Sequence, residues 1–104
     1  MTVERAHLPS LDGEPHANAF PAAEPKTIRL ALDAGERVDP HTHPGRDIVL
    51  YVVDGAIDLE LDGDAHALAT GDAARFEGER EISPVAREPS TALIVLAERA
   101  ESEG

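Results

Sequence analysis

The sequence predicts an all-β fold: a single antiparallel β-barrel that follows an extended N-terminal arm. Apolar residues alternate with polar ones over short stretches, and turn residues separate these stretches at close intervals. No segment has the apolar spacing and caps of an amphipathic helix. About eight short strands with such turns are typical of a sandwich or barrel. A length of 104 residues suits one domain with a modest core.

The predicted arm spans residues 1–25, the barrel residues 26–100 and a disordered tail residues 101–104. Four prolines and a glycine are spread along the arm, and they disfavour a helix there. Three apolar arm residues are available to hold it against the barrel or against a second subunit, namely Leu8, Leu11 and Phe20.

The barrel begins with residues 27–32, in which every second side chain is apolar and shares one face. Residues 48–53 are a continuous apolar run, which predicts a central strand buried on both faces. Residues 57–61 alternate apolar and acidic side chains, and the Asp-Gly-Asp sequence at 62–64 predicts a tight hairpin. The remaining predicted strands are residues 65–69, 73–76, 81–86 and 91–97.

The charge balance is strongly acidic, with 21 acidic residues against 9 basic ones and a net charge of -12. Nucleic acids and anionic membranes attract Lys and Arg, and Lys26 is the only lysine, so we expect neither partner. Scattered acids and abundant alanine favour a halophilic protein, whose surface is screened by high salt. The chain has no cysteine, no recognisable signal peptide and no apolar run near the roughly 20 residues of a membrane helix. We therefore expect a soluble cytoplasmic protein.

A pair of histidines, His41 and His43, lies between Pro40 and Pro44. In an extended segment, residues i and i+2 point the same way about 6.6 Å apart. Two imidazoles placed in this way can both reach one metal ion at about 2.0–2.1 Å. The flanking prolines stiffen the segment and lower the entropic cost of binding. The motif predicts a metal site, with two polar loop histidines as the alternative.

Gly35, the His41-Thr42-His43 segment and Gly55 have the spacing of the first conserved motif of the cupin superfamily, which the chain resembles. The pair Gly71-Asp72 resembles the start of the second motif. The resemblance covers about residues 26–97 and implies a small single-domain cupin barrel of the jelly-roll type. It also implies that a metal ion or a small organic ligand, or both, occupies the mouth of the barrel.

Two positions depart from the cupin pattern. The glutamate of the first motif falls on Ile48, and the histidine of the second motif falls on about Ile82. Asp47 is one position before the first of these, so we predict it as a third ligand beside His41 and His43. A solvated turn carboxylate is the alternative role for Asp47. Imidazole and carboxylate ligands suit a divalent transition metal such as Zn, Fe, Mn, Ni or Cu.

Other polar residues receive structural roles at this point. We expect His66 to be an edge histidine, and His16 to be exposed unless the arm crosses the barrel mouth and donates it as a ligand. Arg46 and Arg75 could hold an anionic substrate, but in so acidic a chain surface ion pairs are the favoured role. Tyr51 lies in the apolar run and is predicted to line the barrel or its core.

Three functions remain open from the sequence. The first is a metal-binding cupin, oxygenase-like or isomerase-like, that acts on a small organic molecule. The second is a metal-free cupin that binds or senses a small ligand without catalysis, which the apolar Ile82 favours. The third is a structural barrel that works through dimer contacts. No nucleophile elbow, phosphate loop or dinucleotide motif is present, so catalytic residues are not assigned. A homodimer is expected.

Overall fold

A computed structural model of the chain describes residues 3–99. These residues contain a short 3-10 turn and eight strands but no α-helix, so no described helix is long and apolar enough to cross a membrane. The all-β prediction is confirmed, whereas the predicted tail at 101–104 lies outside the described residues. The strands are β1 (His16–Asn18), β2 (Lys26–Leu32), β3 (Arg46–Asp54), β4 (Ala56–Leu61), β5 (Asp64–Ala69), β6 (Ala73–Glu77), β7 (Ile82–Ala86) and β8 (Ser90–Glu98).

The strands form two antiparallel sheets. The larger sheet has the order β1-β2-β8-β3-β6, and the smaller one has the order β5-β4-β7. Single bridges from Arg37 to Val85 and from His41 to Ile82 extend the smaller sheet beyond β7. Hydrogen bonds do not join the two sheets into a closed barrel among the described strands. The predicted barrel is therefore, more accurately, a two-sheet jelly roll.

The core lies between the two sheets. Alternation along β3 and β4 sends every second side chain inward, and Ile48, Leu50, Val52, Ile57 and Leu59 are completely buried. Burying one such side chain contributes about 1.5–3 kcal/mol. Strands of both sheets supply the other core members, which are Leu30, Leu32, Leu61, Phe76, Ile82, Ala86, Ala92, Ile94 and Leu96.

The prediction that residues 48–53 are buried on both faces is wrong. The smaller sheet covers only one face of β3, so Val49, Tyr51 and Val53 lie on the outer face with exposed fractions of 41%, 41% and 37%. The predicted core or lining position of Tyr51 is wrong for the same reason. An antiparallel sheet can leave one face in contact with solvent, and an unbroken apolar run does not reveal which face that is.

The arm is attached to the outer face of β2 through the buried side chain of Arg29. Its Nη1 donates a hydrogen bond to the Leu8 carbonyl at 3.0 Å, and its Nη2 donates to the Gly13 carbonyl. The arm then adds β1 to the edge of the larger sheet, with His16 opposite Leu30. Paired residues of antiparallel strands project to the same face. Since Leu30 faces the core, His16 lies on the inner face of the sheet.

Glycine is required or favoured at two turns, those at Gly63 and Gly55. Asp62 and Gly63 have φ values of 51° and 87°, as a two-residue hairpin turn of the primed type requires, so the hairpin prediction is confirmed. Gly55 has a φ of 108° and is buried. A Cβ atom there would lie 2.6 Å from the Pro89 carbonyl oxygen and 2.7 Å from the Ser90 Cα atom. Only glycine fits this position.

Candidate functional site

The His41-Thr42-His43 segment is joined to β7 by a single antiparallel bridge at His41. The His41 N–H donates to the Ile82 carbonyl at 3.1 Å, and the Ile82 N–H donates to the His41 carbonyl at 2.8 Å. Ile82 in turn pairs with Leu61 of β4. His41, Ile82 and Leu61 thus form one row across the sheet. Since Ile82 and Leu61 are buried in the core, the His41 side chain also projects to the inner face.

The two imidazoles lie in contact with each other. Their ring centroids are 4.8 Å apart and their planes cross at 88°. A metal about 2.0–2.1 Å from one nitrogen of each ring would lie about 3.2 Å from each ring centre, and the observed spacing would then correspond to a ligand angle of about 100°. That angle lies between the octahedral and tetrahedral values. The structure brings together His41 and His43, as the sequence predicts for a pair of ligands.

One nitrogen of His41 is already engaged. Its Nδ1 lies 2.8 Å from the backbone carbonyl oxygen of Asp39. A carbonyl oxygen only accepts hydrogen bonds, so Nδ1 carries a proton, and in the neutral form of the ring Nε2 is the nitrogen with a free lone pair. Such a second hydrogen bond fixes the tautomer and orientation of metal-binding histidines. The local geometry therefore prepares His41 for ligation through Nε2.

His43 is half-buried between positively charged groups. Burial lowers the pKa of His43, and charge repulsion from His41, Lys26, Arg46 and His16 lowers it further, in that order. The ordinary value is already below neutral pH, so the ring is neutral at pH 7. Neutral imidazole is the form that binds a metal. His43 can therefore act as a ligand without first losing a proton.

Isoleucines occupy the positions where the resemblance places two further ligands. Ile48 is completely buried and Ile82 is 2% exposed, and both project into the core beside the histidine segment. Within residues 3–99, no group of three or more His, Asp or Glu side chains is placed to hold an ion. The protein donors available here are therefore two imidazoles against an apolar wall.

Asp47, the sequence-predicted third ligand, lies away from the imidazole pair. Neighbouring residues of a strand project to opposite faces, and Ile48 occupies the inner one. The Asp47 carboxylate lies on the outer face, 3.3 Å from Arg75 Nη2 and 3.2 Å from Arg99 Nη2. Its placement is that of an ion-pairing residue. Arg46 similarly pairs with Glu24 at 2.8 Å, as expected for the arginines of this chain.

His16 lies nearer to the histidine pair than its place on the arm suggests. It lines one cleft with His41, between β1 and the segment that includes Val38, Asp39 and Pro40. His16 is exposed, as predicted, but partial burial of its ring lowers its pKa, and charge repulsion from His41 and Lys26 adds to the shift. A strand of three residues has no periodic signal, so the sequence did not reveal this register. His66, in contrast, is exposed on the edge strand β5.

Gly78 lies in the loop between β6 and β7 and binds the histidine segment through backbone hydrogen bonds. Sequence reasoning did not identify it as a residue of the site. Its carbonyl accepts a hydrogen bond from the His43 N–H at 2.7 Å, and its own N–H donates to the Arg46 carbonyl at 2.7 Å. A Cβ atom at Gly78 would overlap the His43 carbonyl oxygen and lie 2.8 Å from the Arg46 carbonyl oxygen. The close approach of these two backbones requires glycine.

Glu79 connects the far end of this loop to the C-terminal part of the chain. Its carboxylate accepts a hydrogen bond from the Gly45 N–H at 2.8 Å and pairs with Arg99 at 2.8 Å. Hydrogen bonding to Arg99, followed by that to Gly45, lowers the pKa of Glu79 to about 2. The ionised form of Glu79 thus helps to position the loop that follows His43.

We expect Glu79 to make stability depend on pH in acid. Its pKa in the folded chain is about 2 against an ordinary 4.5, so its contribution is complete above pH 4.5 and is lost as the pH falls through about 2. Glu79→Gln should therefore unfold at lower denaturant than the wild type at neutral pH, and the gap should close toward pH 2. Urea unfolding across this range measures it, with Glu88→Gln as the control. A gap that does not change with pH would contradict this role.

These features define a class of protein: a small antiparallel jelly roll with a His-x-His segment at the inner edge of its smaller sheet. The chain belongs to the Cupin_2 family, since the model of this family, a cupin domain, matches residues 28–96. A comparison with curated proteins gave no match.

Solved structures agree with this assignment. The structure of KdgF from Halomonas sp. is similar, with 28% sequence identity and a TM-score of 0.70, over 86% of this chain and 84% of that one. The structure of TT1209 from Thermus thermophilus has 25% identity and a TM-score of 0.79, over 94% of this chain and 100% of that one. Both similarities extend over most of the chain.

Proposed function

We propose that this cupin binds one divalent transition metal ion through His41 and His43 and presents it to a small organic ligand. The crossed imidazoles, with centroids 4.8 Å apart, are the observation that carries the proposal. Imidazole donors suit Zn, Fe, Mn, Ni or Cu. When bound, such an ion supplies a Lewis acid that polarises an oxygen of the ligand.

Other residues of the chain orient His41, keep His43 neutral and exclude water. Asp39 orients His41 through its carbonyl oxygen, and burial keeps His43 neutral. Ile48 and Ile82 exclude water from one side of the imidazole pair. Because the protein offers two donors instead of the usual three or four, we expect weaker metal affinity and wider access for the ligand. Asp47 has no part in this proposal.

Metal titration of the chelator-treated protein tests the proposal. We expect saturable binding of one Zn²⁺ or Ni²⁺ ion per chain by calorimetry, at high salt so that the acidic surface does not contribute. Mg²⁺ prefers oxygen ligands and should not compete at similar concentrations. If Mg²⁺ at a similar concentration prevents the binding of Zn²⁺, the ions are bound by surface carboxylates. That result would contradict the histidine site.

A second candidate is a metal-free cupin that binds or senses a small ligand. The specific observation that favours it is the pair of buried isoleucines, Ile48 and Ile82, at the positions of two family ligands. Ligand sites are mostly apolar with a few polar groups, which fits a wall of this kind. The same titration separates the two candidates, because this one predicts no saturable binding of Zn²⁺ or Ni²⁺.

We further propose that the chain forms a homodimer in the cytoplasm of a high-salt cell, through the outer face of the larger sheet. Val49 lies beside Val95 and Tyr51 beside Leu93, which gives an apolar stripe on that face. Two copies of net charge -12 repel each other at low salt, and salt screens this repulsion.

Analytical ultracentrifugation tests the dimer. The sedimenting mass should be twice 11.1 kDa at high salt, and the Tyr51→Glu variant should be monomeric. A wild-type monomer at high salt would contradict the dimer.

A further inference from the structure

The only lysine of the chain lies on the inner face of the fold. Lys26 is the first residue of β2 and pairs with Leu96 of β8, which is buried in the core. Ile28 and Leu30 share this face, since alternate residues of a strand project to the same side. An acidic chain that uses arginine for its other cations therefore has its one ammonium group on the side of the histidines.

Lys26 lies on the inner-face row that leads to the histidine segment. It pairs with Leu96, and Leu96 pairs with Ile48, the residue at the position of a family ligand. His16 and His41 line one cleft, and His41 and His43 are in ring contact. Three of the five histidines and the single lysine thus lie on inner faces of the two sheets, with His16 exposed at the sheet edge.

The charges around this cluster are predominantly positive, although acids outnumber basic residues more than twofold in the chain. Arg37 lines the cleft with His16 and His41, and Lys26 faces the same side from β2. Asp39, the acid that lines the cleft, presents its backbone carbonyl oxygen to His41. The electrostatic environment of the histidines therefore differs from that of the acidic surface.

Lys26 also differs from most of the arginines in its pairing. Within residues 3–99, seven salt bridges join six of the eight arginines to acids, and Lys26, like Arg5 and Arg29, takes part in none of them. Arg46, the arginine whose charge acts on His43, is already neutralised by Glu24. The cluster therefore keeps the positive charge of its lysine.

A partly buried cation without a counter-ion lowers stability, so its position calls for a compensating anion. We propose that the site binds a small molecule with a carboxylate group, which Lys26 and His16 hold beside the His41–His43 pair. The inference rests on the proposed function, because it assigns the chemical class of that ligand. Lys26 supplies a mobile point charge on a long stem, and His16 supplies a ring N–H donor.

Malonate and its neutral analogue malonamide serve as probes, because they share one skeleton and differ in charge. Binding is measured by NMR shifts and calorimetry at fixed salt, on the purified protein and on the chelator-treated protein. We expect malonate to bind both samples, and malonamide to bind at least about tenfold more weakly. We expect Lys26→Met to weaken malonate binding about tenfold or more, and His16→Gln to weaken it by a smaller factor.

Two controls separate local charge from net charge. Lys26→Arg keeps the positive charge and should bind malonate within about threefold of the wild type. Arg80→Met removes one positive charge, as Lys26→Met does, but Arg80 pairs with Asp62 outside the cluster. It should bind malonate as the wild type does. Equal weakening by Arg80→Met and Lys26→Met would overturn the inference.

The outcome does not depend on whether the metal proposal holds. The carboxylate inference fails alone if Zn²⁺ binds equally to the wild type and to Lys26→Met, and the wild type either does not bind malonate or binds it no better than Lys26→Met does. If no Zn²⁺ binds but malonate binding depends on Lys26 in the chelator-treated protein, the metal proposal fails alone. Circular dichroism of each variant confirms that its sheet content is unchanged.

Discussion

The Gly78→Ala variant should lose both stability and metal affinity. The added Cβ atom would overlap the His43 carbonyl oxygen and crowd that of Arg46, so the histidine segment must move away from the turn beneath it. Overpacking of this kind costs about 1–3 kcal/mol, and the displaced His43 N–H loses its bond to Gly78 at an additional cost of about 1 kcal/mol. For a chain of this size we expect the melting temperature to fall by roughly 10–20 °C.

Thermal unfolding and Zn²⁺ titration of the same samples measure the two effects. Gly63→Asn is the matched control, because nothing lies within 4 Å of a Cβ atom at Gly63 and asparagine tolerates its φ of 87°. The control should bind Zn²⁺ as the wild type does. If Gly78→Ala has the melting temperature and Zn²⁺ affinity of the wild type, the position of the histidine segment does not depend on this glycine.

Replacing the histidine pair should remove the metal site with little change in stability. We expect His41→Ala/His43→Ala to bind Zn²⁺ at least about 100-fold more weakly than the wild type, since both protein donors are lost. Each single substitution leaves one imidazole, so we expect intermediate affinity. The rings lie at the edge of the core and are only partly buried, so the chemical midpoint of unfolding should move little.

His66→Ala is the control for this experiment. His66 is exposed on β5, at the opposite edge of the smaller sheet, and its removal should leave Zn²⁺ binding unchanged. Calorimetry of all four variants against one Zn²⁺ stock gives the comparison. Wild-type affinity in the double variant would remove His41 and His43 from the site.

Sequence reasoning predicted the parts of this protein that local chemistry determines. The acidic alternation in β4 and the Asp62-Gly63 turn depend on near neighbours, and both are present as expected. The spacing of His41 and His43 similarly predicts that the two rings lie together. A strand period and a turn type are encoded within a few residues, so no knowledge of the remaining chain is required.

The features that sequence reasoning missed depend on contacts between distant residues. Which face of β3 is covered depends on where the smaller sheet packs, so the position of Tyr51 was wrong. The register of β1 against β2 places His16 at the site, and three residues carry no pattern that fixes it. Lys26 was visible as the only lysine, but its inner face follows from pairing with β8.

Anomalous diffraction from crystals soaked in Zn²⁺ or Ni²⁺ is the most direct test of a metal held by two histidines. We expect one strong anomalous peak per chain, about 2.0–2.2 Å from a ring nitrogen of both His41 and His43, with His41 bound through Nε2. Peaks found only beside surface carboxylates, with the two imidazoles unchanged and uncoordinated, would contradict a metal site at this pair.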